Sequence, residues 1–228
     1  MPRRSTQREG LALKTSTLVQ LGFIAAAAVA VYGFMRAAQN DQRRASCTAL
    51  CSLAPAYAGR DRSAPDFELP DMNRRPVKLS SFRGKTVYLN FWTKTCNPCL
   101  QEMPNIAELA KISKNRSDFV VITVSTDEGP DDVRDTLKVV LNEDPPFPVL
   151  FDPESKIVNG KYGTRLFPET WIIDPKGIIR ARFDGPRDWS DSLALEVGEM
   201  VSRPVGCPID FLENTPRGKF AGICSDDS

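Results

Sequence analysis

The sequence predicts an α/β sandwich with a mixed central sheet, set behind a transmembrane helix near the N-terminus. Three observations predict it. Apolar, β-branched runs alternate with segments of helical periodicity between residues 86 and 141, the pattern of parallel strands joined by helical crossovers. Two further runs, TWIID (170–174) and IIRARF (178–183), flank the turn signature PKG and read as an antiparallel hairpin. Residues 17–35, TLVQLGFIAAAAVAVYGFM, contain no charge.

As a helix, that uncharged stretch spans about 28 Å, close to the hydrocarbon thickness of a bilayer. Arg3, Arg4, Arg8 and Lys14 precede it, and Arg36, Arg43 and Arg44 follow. It is long for the apolar region of a cleaved signal peptide, and AYA (56–58) lies too far downstream to serve as a cleavage site. The expectation is an uncleaved anchor, with a cleaved signal as the alternative. The organisation that follows is residues 1–36 as cytoplasmic N-terminus and anchor, 37–62 as a polar linker with Cys47 and Cys51, 63–202 as one compact domain, and 203–228 as a tail with Cys207 and Cys224.

Within the domain, TVYLNFW (86–92) is a buried strand by its β-branched and aromatic content. Residues 97–113 follow as a helix, with Met103, Ile106, Leu109, Ala110 and Ile112 towards one face and Pro98 in its first turn. Pro104 is expected to kink that helix. FVVITVS (119–125) is the next strand, and DDVRDTLKVVL (131–141) a helix with two aspartates at its positive end. FPVLF (147–151) is a short strand, SKIVNGKYG (155–163) one or two helical turns, and SDSLALEVGEMV (190–201) a closing helix.

Composition narrows the chemistry. A net charge of +1 and no long Lys/Arg run give no reason to expect a nucleic-acid partner. The chain has no histidine, which excludes a Ser-His or Cys-His catalytic pair and any His-ligated metal or haem. Six cysteines beyond a membrane anchor fit an oxidising compartment, with the domain outside and the N-terminus inside.

The chemistry centres on FWTKTCNPCLQEMP (91–104). Cys96 falls where strand hands over to helix, and there free N–H groups and the helix dipole stabilise a thiolate. Lys94 adds positive charge nearby. Cys99 lies one turn in, on the same face. The pair suits one reaction: Cys96 attacks a substrate disulfide and Cys99 resolves the mixed disulfide, with no base, metal or cofactor required. A structural disulfide or half a zinc site are the alternatives.

Trp92, Cys96, Pro98 and Cys99 resemble the Trp-x-x-x-Cys-x-Pro-Cys core of the thioredoxin superfamily. In RLFPETWIID (165–174), Pro168 falls where that superfamily carries a cis-proline facing the disulfide. The stretch APDFELPDMNRRPVKLSSFRGKTVYLNFW (64–92) is similar to the membrane-anchored TlpA/ResA/DsbE-like branch, as is Glu102 at that branch's active-site glutamate. The resemblance covers residues 63–200. It implies a thioredoxin-like three-layer sandwich, catalytic roles for Cys96, Cys99, Glu102 and Pro168, and substrate-binding roles for Trp92 and Phe167. Glu102 is expected to assist proton transfer and tune the thiols. Asn90, where ordinary thioredoxins have a buried aspartate, is read as a strand residue without a direct chemical role. The sequence departs from the branch in PET (168–170) and in Trp171, and the bulky Phe167 and Trp171 are expected to reshape the substrate groove.

Cys47, Cys51, Cys207 and Cys224 read as structural disulfides. Their pairing is open among three connectivities, with crosslinks between linker and tail favoured. A four-cysteine zinc site and a second redox relay remain as alternatives. The resemblance implies a disulfide reductase in the bacterial cytoplasmic membrane, facing the periplasmic or extracytoplasmic side. It implies protein disulfides as substrates, a membrane thiol reductase as electron donor, and a place in cytochrome c maturation or cytochrome oxidase assembly. The alternatives are an oxidase or isomerase on the same fold, a peroxiredoxin-like peroxidase suggested by Thr93-x-x-Cys96, and a metal-binding module.

Overall fold

The computed structural model describes residues 15–58, 62–202 and 207–225. The chain divides into two compact units, residues 1–42 and 43–228. The first unit contains the start of helix α1 (Thr15–Leu53). Its apolar side chains, among them Leu18, Phe23, Ile24, Val29 and Phe34, are exposed, and the helix is long and apolar enough to cross a membrane.

The linker expectation is corrected here. Residues 37–53 continue α1, and those from Arg43 onward belong to the second unit. The segment holds Ala, Arg, Gln and Leu, with neither glycine nor proline before Pro55, so nothing in it breaks a helix.

The second unit is built on an eight-stranded mixed sheet. Its elements are β1 (Tyr57–Ala58), β2 (Glu68–Pro70), β3 (Pro76–Lys78), β4 (Thr86–Trp92), α2 (Asn97–Lys114), β5 (Phe119–Ser125), α3 (Pro130–Leu141), β6 (Val149–Phe151), β7 (Glu169–Ile173), β8 (Ile179–Asp184), α4 (Ser192–Ser202), β9 (Asp210–Leu212) and β10 (Thr215–Arg217). Strand order is β10-β9-β1-β8-β7-β4-β5-β6, while β2 and β3 form a separate hairpin. β4, β5 and β6 run parallel, and the remaining pairs are antiparallel.

Every residue of β4 is buried, as a central strand covered on both faces requires. Tyr88 and Trp92 share one core with Met103, Ile106 and Leu109 of α2, Leu137 of α3 and Val197 of α4. Val87, Leu89 and Phe91, on the alternate face, share a second core with Phe67, Leu79, Ile157 and Tyr162. Helices therefore cover one face of the sheet. The β2–β3 hairpin and the segment around 153–162 cover the other, giving three layers.

That last segment is a run of turns rather than helix. Asn159 N and Lys161 N make helix-like bonds to Ser155 O and Ile157 O. Its leading amides, Lys156, Ile157 and Val158, are taken up by the Asp152 carboxylate instead. Helix α2 runs unbroken through Pro104.

The tail expectation is corrected as well. Residues 207–225 supply β9 and β10, which extend the sheet beyond β1 and bury Ile209 and Phe211. Glu213 and Asn214, both at positive φ (50° and 63°), make the two-residue turn that pairs Leu212 with Thr215. Cys47 is bonded to Cys207 and Cys51 to Cys224. Four residues apart on α1, Cys47 and Cys51 lie one above the other on one helix face, so both sulfurs meet the same incoming segment.

Candidate functional site

Cys96 is the N-cap residue of α2, with extended backbone (φ −88°, ψ 98°). Its Sγ accepts the Cys99 amide at 3.2 Å, taking one of the free N–H groups at the helix start. The two sulfurs are joined as a disulfide. Cys96 is half-buried and Cys99 has no exposed surface, so one sulfur is open to attack and the other is shielded.

One turn beyond Cys99, Glu102 is only 2% exposed. Its carboxylate accepts three hydrogen bonds: Oε1 from Asn90 Nδ2 (2.8 Å), Oε2 from the Arg187 amide (3.1 Å) and from Trp189 Nε1 (3.3 Å). Burial pushes its pKa up to about 7 from the usual 4.5, and the hydrogen bonds and the nearby Arg187 charge oppose that rise. A carboxyl whose pKa lies near neutrality, one helical turn from a buried cysteine, is of a kind suited to hold or release the proton that the reduced thiol must exchange. Asn90 Nδ2 also donates to Thr170 Oγ1 at 2.9 Å. Asn90 therefore ties β4, α2 and β7 together.

The Phe167–Pro168 peptide bond is cis. Phe167 is half-buried and packs against both cores. Pro168 O accepts the amide of Gly185, at φ 80°, from 2.9 Å. That bond brings the loop after β8 alongside the cis-proline, and the same loop carries Arg187 and Trp189.

Directly after Pro168, Glu169 is a second buried carboxyl. Its Oε1 accepts the Thr164 hydroxyl and Trp171 Nε1 (2.7 Å). Burial raises its pKa, against the lowering effect of those bonds and of Arg182. Trp171 is fully buried, with the guanidinium carbons of Arg62 and Arg182 5.3 and 5.6 Å from its ring centroid. The expectation that Trp171 shapes a substrate groove is therefore corrected. Its size fills the interior, and its indole N–H anchors Glu169.

The turn that presents Cys96 is fastened by Asp127. Thr93 Oγ1 donates to Asp127 Oδ1 (2.9 Å), and Lys94 N and Ser125 Oγ donate to Oδ2 (2.8 and 2.7 Å). Cys96 N then bonds Thr93 O at 3.1 Å. Lys94 Nζ is paired with Asp132 at 2.9 Å, so its charge is partnered there.

Cys96, Cys99 and Glu102 are thus grouped on α2, while Pro168 and Phe167 lie on a loop tied to the same neighbourhood through Gly185 and Arg187. Trp92 is different. It is 0% exposed and sits in the core under α2, so its assignment as a substrate-binding residue is corrected: a side chain with no surface cannot touch a client. Sequence reasoning missed Arg187, Trp189, Glu169 and Asp127. The legible signals were a lone tryptophan in the polar GPRDWSD loop and an acidic residue opening an apolar strand. The sulfurs of Cys47, Cys51, Cys207 and Cys224 are taken up in two disulfides. Among the described residues no group of three or more Cys, Asp or Glu is arranged to hold a metal ion.

Residues 61–182 match the model of the AhpC/TSA family. The thioredoxin-like protein YneN of Bacillus subtilis is 33% identical over 119 residues, 52% of this chain and 68% of that protein. The thiol-disulfide oxidoreductase ResA of Geobacillus thermodenitrificans is 33% identical over 123 residues, 54% of this chain and 68% of that protein. Among solved structures, a Chlorobium tepidum protein provisionally named thiol:disulfide interchange protein DsbE superposes with a TM-score of 0.55. It is 30% identical, and the match covers 64% of this chain and 99% of that one.

Proposed function

The chain belongs to the AhpC/TSA family and is a thiol-disulfide oxidoreductase of the ResA/DsbE type; from that premise we propose that it is a membrane-anchored, extracytoplasmic reductase of particular protein disulfides. The observation that carries the exchange chemistry is the pairing of a half-exposed N-cap Cys96 with a buried Cys99, one helical turn before the buried Glu102; the reducing direction is proposed from the likeness to ResA.

In the proposed cycle, the Cys96 thiolate attacks one sulfur of the client disulfide. A mixed disulfide forms and the other client sulfur leaves as a thiolate. Cys99, losing its proton towards Glu102, attacks Cys96 Sγ. The second client sulfur leaves, the client has gained two electrons, and Cys96–Cys99 is the disulfide seen in the structure. A dithiol donor in the membrane restores the reduced pair by the same exchange in reverse. Phe167, half-buried and held by the cis bond to Pro168, is proposed to receive the client backbone. The apolar stretch of α1 is proposed to anchor the chain in the bacterial cytoplasmic membrane, with service to cytochrome c maturation or cytochrome oxidase assembly. Thr93 argues against the peroxidase alternative, because its hydroxyl donates to Asp127.

The reduction potential of Cys96–Cys99 in the full-length chain, titrated in detergent against a thiol buffer, tests the proposal. A value near or below thioredoxin's, about −270 mV, supports electron donation to clients. A value near that of the oxidant DsbA, about −120 mV, makes the protein a disulfide-installing oxidase and overturns the reductase reading.

A further inference from the structure

We propose that Glu169 is a positioning residue for client recognition: its buried carboxyl closes the neck of the loop 164–168 and so fixes the place of Phe167. The proposal rests on the reading of Phe167 as the residue that receives the client backbone.

The loop comes first. It runs from Thr164 to cis-Pro168, between the turns at 153–162 and β7. Its ends are anchored through the main chain. Thr164 N donates to Val158 O at 3.1 Å, Thr164 O accepts Asn159 Nδ2 at 3.3 Å, and Pro168 O accepts Gly185 N at 2.9 Å. Between those ends, Arg165, Leu166 and Phe167 make no hydrogen bond among the described residues. Leu166 at the tip is 83% exposed, and Phe167 borders the same helix-side core as Cys96. A span held at its ends alone keeps its shape only as well as its neck is closed.

Glu169 closes that neck. Its Oε1 accepts the hydroxyl of Thr164, five residues earlier, at the loop's other end. The same oxygen accepts Trp171 Nε1 at 2.7 Å from within the buried strand β7. One donor therefore holds the carboxyl to the sheet, and through the other the carboxyl holds the loop. Arg182 Nε lies 3.9 Å from Oε2 and keeps a charge of opposite sign beside it. Thr164 and Glu169 are both buried, so water does not compete for their bond. The next residue, Thr170, points to the opposite face and accepts Asn90 Nδ2, which also holds Glu102. The first two residues of β7 thus fasten the client loop on one face of the sheet and Glu102 on the other.

A client strand meets the loop in one arrangement, and its rate of reduction is scaled by the fraction of chains that hold it. Losing the Thr164 hydroxyl removes a buried hydrogen bond that only the closed neck makes. Exchange with a disulfide too small to carry a peptide backbone does not use the loop.

The test is single-turnover reduction by the full-length chain in detergent, with Cys96–Cys99 reduced beforehand. A disulfide-bridged peptide is compared with hydroxyethyl disulfide, which has no peptide backbone. Thr164→Val, close in shape with a methyl in place of the hydroxyl, is expected to slow the peptide about fivefold. It should leave the hydroxyethyl disulfide rate and the Cys96–Cys99 reduction potential unchanged. Glu169→Ala should slow the peptide at least as much, and Glu169→Gln, which keeps an accepting oxygen, should recover most of the rate. Equal slowing of both disulfides in Thr164→Val, or slowing of neither, overturns the inference and leaves the dithiol reading standing. Glu169→Gln as slow as Glu169→Ala overturns it too. Reduction of the peptide at the unmodified rate by Phe167→Ala overturns the reading of Phe167, and this inference with it. Failure of the unmodified chain to reduce either disulfide overturns the dithiol reading itself.

Discussion

Asn90 Nδ2 donates to Glu102 Oε1 at 2.8 Å, joining the middle of the central strand to the second turn of the active-site helix. The bond favours the ionised carboxyl, against burial that favours the neutral one. Asn90→Asp replaces the donor with a second carboxyl. The two then share a proton, and the upper apparent pKa of the pair is expected to rise above 7 by about one unit or more. Carbon-13 NMR titration of the side-chain carboxyls reads this directly. An upper titration that stays near 7 would show that Asn90 does not govern Glu102.

Glu102 also sets a pH dependence of stability. Its folded pKa of about 7 exceeds the usual 4.5, so between those values the folded chain holds a proton that the unfolded chain has lost. Stability therefore falls as pH rises through that window and levels off above it, by roughly 3 kcal/mol at most. Unfolding of the oxidised chain at pH 5 and pH 8 should show the decline, and Glu102→Gln should remove that component. An identical pH response in the two proteins would refute it.

Cys99→Ser removes the shielded resolving thiol and leaves the open one. Disulfide-linked adducts of this variant with envelope proteins should accumulate and disappear on reduction. The double variant Cys96→Ser/Cys99→Ser should form none. Adducts that persist in the double variant would move the nucleophile to another cysteine.

The outer disulfides close loops with sequence separations of 160 and 173, and the active-site disulfide one of only 3. With Cys47–Cys207 still closed, Cys51–Cys224 adds a loop of only about 20 residues, so on chain-entropy grounds its loss costs about 3 kcal/mol, and losing Cys96–Cys99 about 2 kcal/mol. Thermal unfolding of Cys51→Ser/Cys224→Ser and of Cys96→Ser/Cys99→Ser should rank in that order. The reverse order would remove the structural role proposed for the outer pair.

Asp127→Ala frees Thr93, the Lys94 amide and Ser125 together. The expected cost is about 1–3 kcal/mol, with faster hydrogen exchange confined to the turn before α2. Thr93→Val, losing one of the three bonds, should cost about 1 kcal/mol. Unchanged exchange at Lys94 in Asp127→Ala would contradict the fastening role.

The strands were legible because β4 and β5 are continuous β-branched or aromatic runs bounded by polar turns, and the structure places them at 86–92 and 119–125 as read. Cys96, Cys99 and Pro168 were legible because their types and spacing are confined to one resemblance. What stayed hidden depended on contacts between distant residues. The role of Asn90 appears only once α2 brings Glu102 to it. Arg187 and Trp189 reach Glu102 from 85 and 87 residues away. Trp92 misled because an aromatic beside a cysteine motif looks the same in sequence whether it lines a surface or fills a core. The tail misled because Glu213-Asn214 is an unusual hairpin turn, and its strands are only three residues each.

Cys47 and Cys51 emerge from the ribosome first, and their partners lie at the far end of the chain. At synthesis rates of about 5–20 residues per second, the early pair waits roughly 10–30 s for Cys207 and Cys224. During that interval Cys96 and Cys99 are already present, so every cysteine within reach of Cys47 and Cys51 is a wrong partner for them. Correct closure therefore cannot proceed in order of emergence. Both outer crosslinks can close only once Cys207 and Cys224 have been synthesised, so a closed pair marks a chain that holds both ends of the domain.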